Sequence, residues 1–304
     1  MAECWISVPP ELWAGPLPRK ADKLTFPVGR LLGRWTYNEL RPAVAAGCRI
    51  QRVGACYQTS QNHPYLREMM MKLRAIRENP ATPPAVDRMA KLMGNSLYGK
   101  FAQRHEEFSY LPLREYQRAV RLGLARPGIN YDQERTRLYD ACQVVRVVTG
   151  TRIPKHSNVI WSAIITAGCR ALLYPHLRPE STFYCDTDSV IGLKAYPASK
   201  KLGELALQHS YTRLIIRGNK VYAGRDAGGW NAHAKGVPER QALAAVRHAG
   251  ITLSHKRPVK LRTALTGRAI ANRWIEVHKE LRAVYDKRVV LPGGQTRPLS
   301  VKEW

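Results

Sequence analysis

Two aspartates separated by a single residue lie in the hexapeptide YCDTDS, residues 184–189, between short apolar and β-branched segments. Residues 181–184 and 190–193 are typical of two strands of a hairpin, which would place Asp186 and Asp188 at its tip. On an extended backbone, side chains two residues apart project to the same side, so both carboxylates could converge on Mg²⁺ or Mn²⁺, hard cations that also bind phosphate oxygens. A solvated turn is the alternative, since Asp and Ser favour turns.

A second segment with functional side chains is KLMGNSLYGKFAQ, residues 91–103. Thr82, followed by two prolines, predicts the start of a helix that runs through this segment. On that helix Lys91, Asn95 and Tyr98 share one face, because they are spaced i, i+4 and i+7. A cation, an amide and an aromatic ring in one stripe could bind a triphosphate and pack against a sugar or base. The alternative is a plain amphipathic helix whose apolar residues face the core: Met89, Leu92, Met93 and Leu97.

The composition indicates a polyanionic partner. The chain has 49 Lys+Arg against 23 Asp+Glu, a formal net charge of +26. These basic residues are spread along the chain, which favours nucleic acid over a membrane surface. The six cysteines form no CxxC pair, which argues against a zinc ribbon. No apolar run reaches the roughly 18 residues of a membrane helix and no signal peptide is evident, so we expect a soluble, cytoplasmic chain.

The two segments resemble, in the same order, two motifs of family B DNA polymerases: KLMGNSLYG resembles KxxxNSxYG, and YCDTDS resembles YxDTDS. In that family the first motif lies on the fingers helix that binds the incoming nucleotide, and the second supplies palm carboxylates for two-metal phosphoryl transfer. The resemblance implies that Lys91 contacts the triphosphate, that Tyr98 packs beside the nucleotide's sugar, and that Asn95 supports that site. It implies catalytic roles for Asp188, the main metal ligand, and Asp186, close to the metals or the primer end.

A third resemblance lies in TRLIIRGNKVYAG, residues 212–224, which predicts a β-hairpin with a type II′ turn beginning at Gly218. Lys220 and Tyr222 resemble the KxY element with which these polymerases hold the primer terminus. Lys235, in the following AKGVP, stands where relatives carry a similar KG turn, which implies a phosphate contact. An ordinary exposed loop lysine is the alternative.

The resemblance spans nearly the whole chain and favours the phage- and plasmid-type, protein-primed branch. It implies an α+β fold: an incomplete polymerase right hand with an antiparallel palm sheet, helical fingers and a small, mainly helical thumb. We expect helices beginning near Thr36 and covering residues 65–78, 156–177 and, in the thumb, 268–286. The predicted domains are a palm-proximal strand and helix segment (residues 1–60), the fingers (61–103), an insertion (104–150), the palm (151–238) and the thumb (239–304).

The sequence departs from the family at its N-terminal end. It contains neither the first palm motif, DxxSLYP, whose aspartate bridges both metals, nor the exonuclease domain that precedes it. The ending YDKRVVLPGGQTRPLS resembles the family's tail, so we expect a complete C-terminus. Three explanations stay open: the C-terminal part of a split polymerase, a truncated reading frame, or a non-catalytic DNA-binding remnant. We expect the chain to be inactive without the missing part.

The implied partners are primer-template DNA, dNTPs, a separate N-terminal polymerase chain that carries the exonuclease and the first palm motif, and a terminal protein primer. A remote alternative function is that of a haloacid-dehalogenase-type phosphatase, because DTDSV also satisfies the nucleophile motif DxDx[TV] of those enzymes. The later Asp226 and Asp286 do not supply their GDxxxD pattern.

Overall fold

The structure is a computed structural model that describes residues 1–58, 64–122, 137–139, 143–193, 196, 199, 201, 203–248, 252–258, 274–280 and 286–304, with only the backbone described at 137–139. The chain forms two compact units. The first comprises Met1–Gly99, Asn158–Ile251 and Leu281–Trp304, and the second comprises Lys100–Ser157 and Thr252–Glu280. Helices occur together with several antiparallel sheets, which confirms the α+β class. No helix in the described ranges has the length and apolarity needed to cross a membrane.

A four-stranded sheet of the first unit holds its largest described core. Its strands lie in the order β18–β4–β1–β5, with bounds β1 Ala2–Val8, β4 Val28–Trp35, β5 Arg49–Cys56 and β18 Ser300–Lys302. Strand β1 pairs antiparallel with β4 and β5, whereas β18 pairs parallel with β4. Alternate residues of β1, Cys4, Ile6 and Val8, are buried against Leu31 of β4, as the two-residue period of a strand requires. A short ribbon of β2 (Arg19–Lys20) and β3 (Leu24–Thr25) precedes β4.

Helix α1, Tyr37–Ala45, begins after Thr36, as the family resemblance implies. The buried Glu39 carboxylate accepts hydrogen bonds from the backbone N–H and the hydroxyl of Thr36, each at 3.2 Å. Arg170 of α5, Val159–Leu173, donates two further hydrogen bonds to Glu39, at 2.9 Å and 2.7 Å. One carboxylate therefore caps α1 and ties it to α5.

Helices α2 (Tyr65–Glu78) and α3 (Pro84–Phe101) form the region predicted as fingers. The first of them confirms the helix predicted over residues 65–78. Thr82 is not the N-cap of α3, because the helix begins at Pro84 and the N-cap position is therefore Pro83; the Thr82 hydroxyl donates to the Ile76 carbonyl oxygen at 2.6 Å. An ion pair of 3.1 Å between Arg77 and Asp87 joins the two helices, and a side chain added at Gly94 would meet Met70 at 3.3 Å. The two helices therefore contact each other at these two points.

The region predicted as palm begins with α5, whose bounds fall inside the predicted 156–177 and which continues into a 3₁₀ turn at Tyr174–His176. A hairpin and a three-stranded meander follow: β9 Thr182–Asp186, β10 Ser189–Gly192, β11 Arg213–Gly218, β12 Val221–Asp226 and β13 Gly229–Ala234. All of these pairs are antiparallel. Helix α6, Glu239–Arg247, packs on the meander, and Ala242 and Val246 of this helix are buried, as is Ala223 of β12.

The second unit contains a three-stranded sheet and a two-stranded ribbon. The sheet has the order β6–β8–β7, with bounds β6 His105–Pro112, β7 Arg137–Tyr139 and β8 Val144–Arg152, and α4, Leu113–Arg121, follows β6. Its core consists of Leu111, Val145 and Val147. The ribbon pairs β14, Thr252–Pro258, with β15, Trp274–Glu280.

The structure corrects the predicted thumb. The helix predicted over 268–286 is wrong at Trp274–Glu280, which form β15, while residues 268–273 and 281–285 lie outside the described residues. In WIEVHKE the half-buried Ile275 and Val277 alternate with exposed neighbours, and this two-residue period prevails over the helical stripe. The described part of 239–304 has one α-helix, α6, a 3₁₀ turn at Pro292–Gly294 and five strands, so "mainly helical" is also wrong: β14, β15, β16 (Arg288–Val290), β17 (Thr296–Pro298) and β18.

The predicted thumb, 239–304, is also divided between the two units, because 252–280 belongs to the second and β18 joins the sheet of β4 in the first. The other predicted domain boundaries remain predictions.

Candidate active site

The tip of the β9–β10 hairpin is a two-residue turn that carries the YCDTDS carboxylates. Asp186 ends β9 and pairs with Ser189 of β10, so Thr187 and Asp188 form the turn. The Asp188 N–H donates to the Asp186 carbonyl oxygen at 2.7 Å, and Thr187 has a φ of 58°. A left-handed conformation is strained for a β-branched residue, and such strain often accompanies functional sites. The hairpin is as predicted, but the extended backbone assumed between the two aspartates is wrong.

Asp186 lies against a lysine from a distant part of the chain. Its Oδ2 atom is 2.5 Å from Lys220 Nζ, and its Oδ1 atom accepts a hydrogen bond from the Thr187 hydroxyl at 3.0 Å. Burial acts to raise the pKa of Asp186, but the hydrogen bonds from Lys220 and Thr187 and the lysine's positive charge outweigh it, so the pKa is lowered from its usual value. Asp186 is therefore an ionised carboxylate at neutral pH. Asp188 is exposed to solvent at the turn.

Tyr184 of β9 contacts the same distant turn through its hydroxyl. The hydroxyl accepts a hydrogen bond from the Lys220 backbone N–H at 2.9 Å and donates one to Asn219 Oδ1 at 3.2 Å. Its ring lies 5.6 Å from that of Tyr222, with the ring planes tilted by 45°. Burial, which outweighs the opposing hydrogen bond from Lys220, raises the pKa of Tyr184 to about 12. The hydroxyl therefore keeps its proton at neutral pH and can donate and accept at once.

The β11–β12 turn differs in detail from the predicted one. Gly218 pairs with Val221, so Asn219 and Lys220 form the turn. The positive φ of 60° is at Lys220 and not at Gly218. The predicted type II′ turn is therefore wrong, since that type requires the positive φ at its first central residue.

The residues predicted to contact the primer surround this turn. Tyr222 stands between Tyr184 and His233, whose ring is 5.6 Å away. The Lys235 N–H donates to the Lys220 carbonyl oxygen at 2.9 Å. The structure thus brings Lys220, Tyr222 and the backbone of Lys235 together with Asp186.

The residues predicted to bind the nucleotide lie on α3. Lys91, Asn95 and Tyr98 are all exposed to solvent. Met89 and Leu92 are 63% and 68% exposed, so the alternative in which the apolar side of this helix faces the core is wrong for them. In the described part of the chain, none of the three predicted side chains makes a hydrogen bond or ion pair with the β9–β10 hairpin.

The carboxylates of the hairpin fit part of a metal site. Asp186 and Asp188 offer the hard oxygen donors that Mg²⁺ prefers, and the Asp188 carboxylate is accessible from solvent. Among the residues that the structure describes, no group of three or more His, Cys, Asp or Glu side chains could hold a metal ion. A two-metal centre at this hairpin would therefore need further oxygen ligands, such as substrate phosphates or another carboxylate.

Three residues at this site were not singled out by the sequence. Tyr184 belongs to the hexapeptide, and its place two residues before Asp186 was the available signal. Asn219 was predicted only as the second central residue of a type II′ turn, and its contact with Tyr184 was not predicted. His233 is opposite Tyr222 in the β12–β13 register, and that register is not readable from residue types alone.

Comparisons with known proteins agree with the first motif. Residues 9–118, which include KLMGNSLYG, match the family model for DNA polymerase type B, organellar and viral. The chain is 32% identical over 137 residues to the DNA-directed DNA polymerase of Enterobacteria phage PRD1. The aligned segment covers 44% of this chain and 23% of that relative. The chain thus matches less than a quarter of the relative's length. No solved structure matches the chain. The resemblance to phage-type family B DNA polymerases is confirmed by the first two findings.

Proposed function

We propose that this chain carries the nucleotide-binding, metal-binding and primer-binding elements of a DNA-directed DNA polymerase, which adds deoxynucleotides to a primer 3′ end under the direction of a template. The observation that supports this most is the contact between Asp186 and Lys220, at 2.5 Å. It joins the carboxylate of the YxDTDS-like motif to the lysine of the KxY-like element. The family match and the phage relative favour this function over the phosphatase alternative.

In this proposal Asp188 and Asp186 are the residues that hold Mg²⁺ or Mn²⁺. The bound metal supplies charge stabilisation and in-line alignment for phosphoryl transfer. Asp188, exposed at the turn, has its carboxylate available as a ligand. Asp186 is kept ionised by Lys220 and Thr187 and lies beside the same site.

The DNA and the nucleotide are bound by separate parts of the first unit. Lys220, Tyr222 and Lys235 form a cationic and aromatic surface at the β11–β12 turn, suited to the sugar and phosphates of a primer terminus. Lys91, Asn95 and Tyr98 on the exposed face of α3 bind the triphosphate and sugar of the incoming nucleotide. The chain has 49 Lys and Arg residues against 23 Asp and Glu residues, and this positive charge supports binding of the protein along the DNA duplex.

The proposal includes the partners that the resemblance implies. A separate polymerase chain would supply the exonuclease and the DxxSLYP aspartate, and a terminal protein would serve as primer. The site of action is the cytoplasm, that of the host if the gene belongs to a phage or plasmid.

Preferential binding of the dNTP that is complementary to the template tests the proposal without requiring nucleotide addition. A labelled primer-template that ends in a dideoxynucleotide is mixed with the full chain, Mg²⁺ and each of the four dNTPs in turn, alone and with a polypeptide that carries the first palm motif. We expect the complementary dNTP to slow dissociation of the DNA about tenfold relative to the other three. Equal dissociation with all four dNTPs in both preparations would contradict the proposal and favour a non-catalytic DNA-binding remnant.

A further inference from the structure

Two motifs that are far apart in sequence meet at the hydroxyl of Tyr184. Its oxygen is 2.9 Å from the Lys220 backbone nitrogen and 3.2 Å from Asn219 Oδ1. A phenolic hydroxyl can accept one hydrogen bond and donate another at the same time. Tyr184 therefore binds two adjacent residues of a single turn through its hydroxyl, which also interacts with the Asp186 carboxylate.

Within that turn, Lys220 has a disfavoured backbone conformation. Its φ of 60° places it in the left-handed region, which is disfavoured for residues that carry a side chain. Its N–H is bound by Tyr184 and its carbonyl oxygen accepts the Lys235 N–H at 2.9 Å. Both backbone polar groups of Lys220 are thus held, one by β9 and the other by the residue that follows β13.

From this backbone position the Lys220 side chain reaches Asp186, two residues after Tyr184 on the same strand. The Tyr184 ring also packs against Tyr222, on the other side of Lys220 in sequence. One tyrosine therefore fixes the backbone of Lys220 and contacts its aromatic neighbour, while the adjacent carboxylate binds its ammonium.

We propose that Tyr184 is a positioning residue that acts through Lys220: its hydroxyl holds Lys220 in the left-handed conformation from which the ammonium reaches both Asp186 and a primer phosphate. The inference rests on the proposed function, in which Lys220 contacts the primer. Through Tyr184, the proposed metal-binding hairpin and the proposed primer-binding turn are held together.

The direct test is Tyr184→Phe, which removes only the hydroxyl and keeps the ring against Tyr222. We expect hydrogen exchange at the Lys220 amide to become about tenfold faster, as loss of a single hydrogen bond predicts. Tyr211→Phe is the matched control, because Tyr211 packs on Gly224 of the same meander and stacks on His209 instead of contacting the turn. This control should leave exchange at Lys220 unchanged.

A second readout separates positioning from general support of the fold. Lys220→Met should reduce the slope of log affinity for primer-template against log salt by about one, because one phosphate contact is lost. Tyr184→Phe should reduce the slope in the same direction, and adding it to Lys220→Met should cause no further change. A residue that only stabilised the fold would lower the melting temperature and leave this slope unchanged.

Asn219→Ala, which removes the acceptor of the Tyr184 hydroxyl, is the second variant and should accelerate exchange at Lys220 by a smaller factor. Unchanged exchange in both variants would overturn the inference. The inference would also be overturned if Lys220→Met changed the slope of log affinity against log salt and Tyr184→Phe did not. If the wild-type chain does not bind primer-template at all, the proposed function fails, whereas the exchange measurement still decides whether Tyr184 holds Lys220.

Discussion

The Lys220 ammonium lies 2.5 Å from Oδ2 of Asp186, although the two residues are 34 positions apart in the chain. The contact joins the β11–β12 turn to the β9–β10 hairpin within the first unit. It places a positive charge beside one of two neighbouring carboxylates. The ammonium of Lys220 therefore stabilises the ionised form of Asp186, and this pair determines how the site should respond to pH and to substitution.

The ion pair between Lys220 and Asp186 predicts a pH-dependent stability. The pKa of Asp186 is lowered from 3.8 in the folded chain, so the stabilisation is complete above that pH and is lost as the pH falls through the lower folded value. Lys220→Met should reduce the free energy of unfolding at pH 7 by at most about 1 kcal/mol, since the pair is partly exposed. Urea denaturation should show this difference shrinking below pH 3.8. A difference that stays constant from neutral pH to pH 3 would contradict the role given to Asp186.

Lys91 predicts a defect in nucleotide binding. Lys91→Ala should raise KM for the incoming dNTP about tenfold, because a charge-assisted contact to the triphosphate is lost, and should leave DNA affinity nearly unchanged. Lys100→Ala is the control on the same helix, since Lys100 donates a hydrogen bond to Gln103 at 3.2 Å. If Lys91→Ala weakened only DNA binding, Lys91 would belong to the DNA surface and not to the nucleotide site.

The charge of +26 predicts strong salt dependence of DNA binding. If six or more phosphates are contacted, affinity for primer-template should fall by about three orders of magnitude between roughly 50 and 200 mM salt. Fluorescence anisotropy with a labelled duplex measures this slope. A nearly flat response would show that the basic residues do not lie along the DNA.

The buried carboxylate of Glu39 predicts a large loss of stability when its partner is removed. Glu39 is 4% exposed and accepts two hydrogen bonds from Arg170. Arg170→Met should cost about 2–3 kcal/mol in the free energy of unfolding, because it leaves a buried carboxylate without its cation. Arg34→Met is the control, since its ion pair with Glu3, at 3.3 Å, is more exposed and should contribute below about 1 kcal/mol. Equal losses in both variants would contradict the tie between α1 and α5.

Local sequence patterns and the family resemblance together predicted the elements around the motifs. Apolar segments on both sides of YCDTDS predicted the hairpin β9–β10, and this feature depends on neighbours in sequence, which explains why it could be predicted from residue types. The resemblance to family B polymerases implied the helix over residues 65–78, which form α2, and a helix that begins near Thr36, which is α1.

The predictions that were wrong concern structural features that residue types alone do not determine. Residues 274–280 fit both a helical stripe and a strand alternation, and pairing with β14 decides for the strand. The β11–β12 turn lies one residue later than expected, because Lys220 takes the positive φ that a glycine usually supplies and Tyr184 binds its N–H. The contacts of Tyr184 and His233 require three-dimensional register, which only the folded chain provides.

The central claim, that Asp188 serves template-directed nucleotide addition, predicts the effect of one substitution. Asp188→Ala should abolish addition and leave DNA affinity nearly unchanged, because it removes a metal ligand and no basic side chain. Asp226→Ala is the matched control, since Asp226 accepts the Gly228 N–H at the far end of β12. It should keep wild-type activity.

Primer extension tests this claim most directly. The full chain is incubated with primer-template, Mg²⁺ and dNTPs, alone and with a polypeptide that supplies the DxxSLYP aspartate. We expect addition of the complementary nucleotide in the reconstituted mixture and its complete loss in Asp188→Ala. Extension that persists in Asp188→Ala, or no extension in any mixture that binds the DNA, would contradict the account.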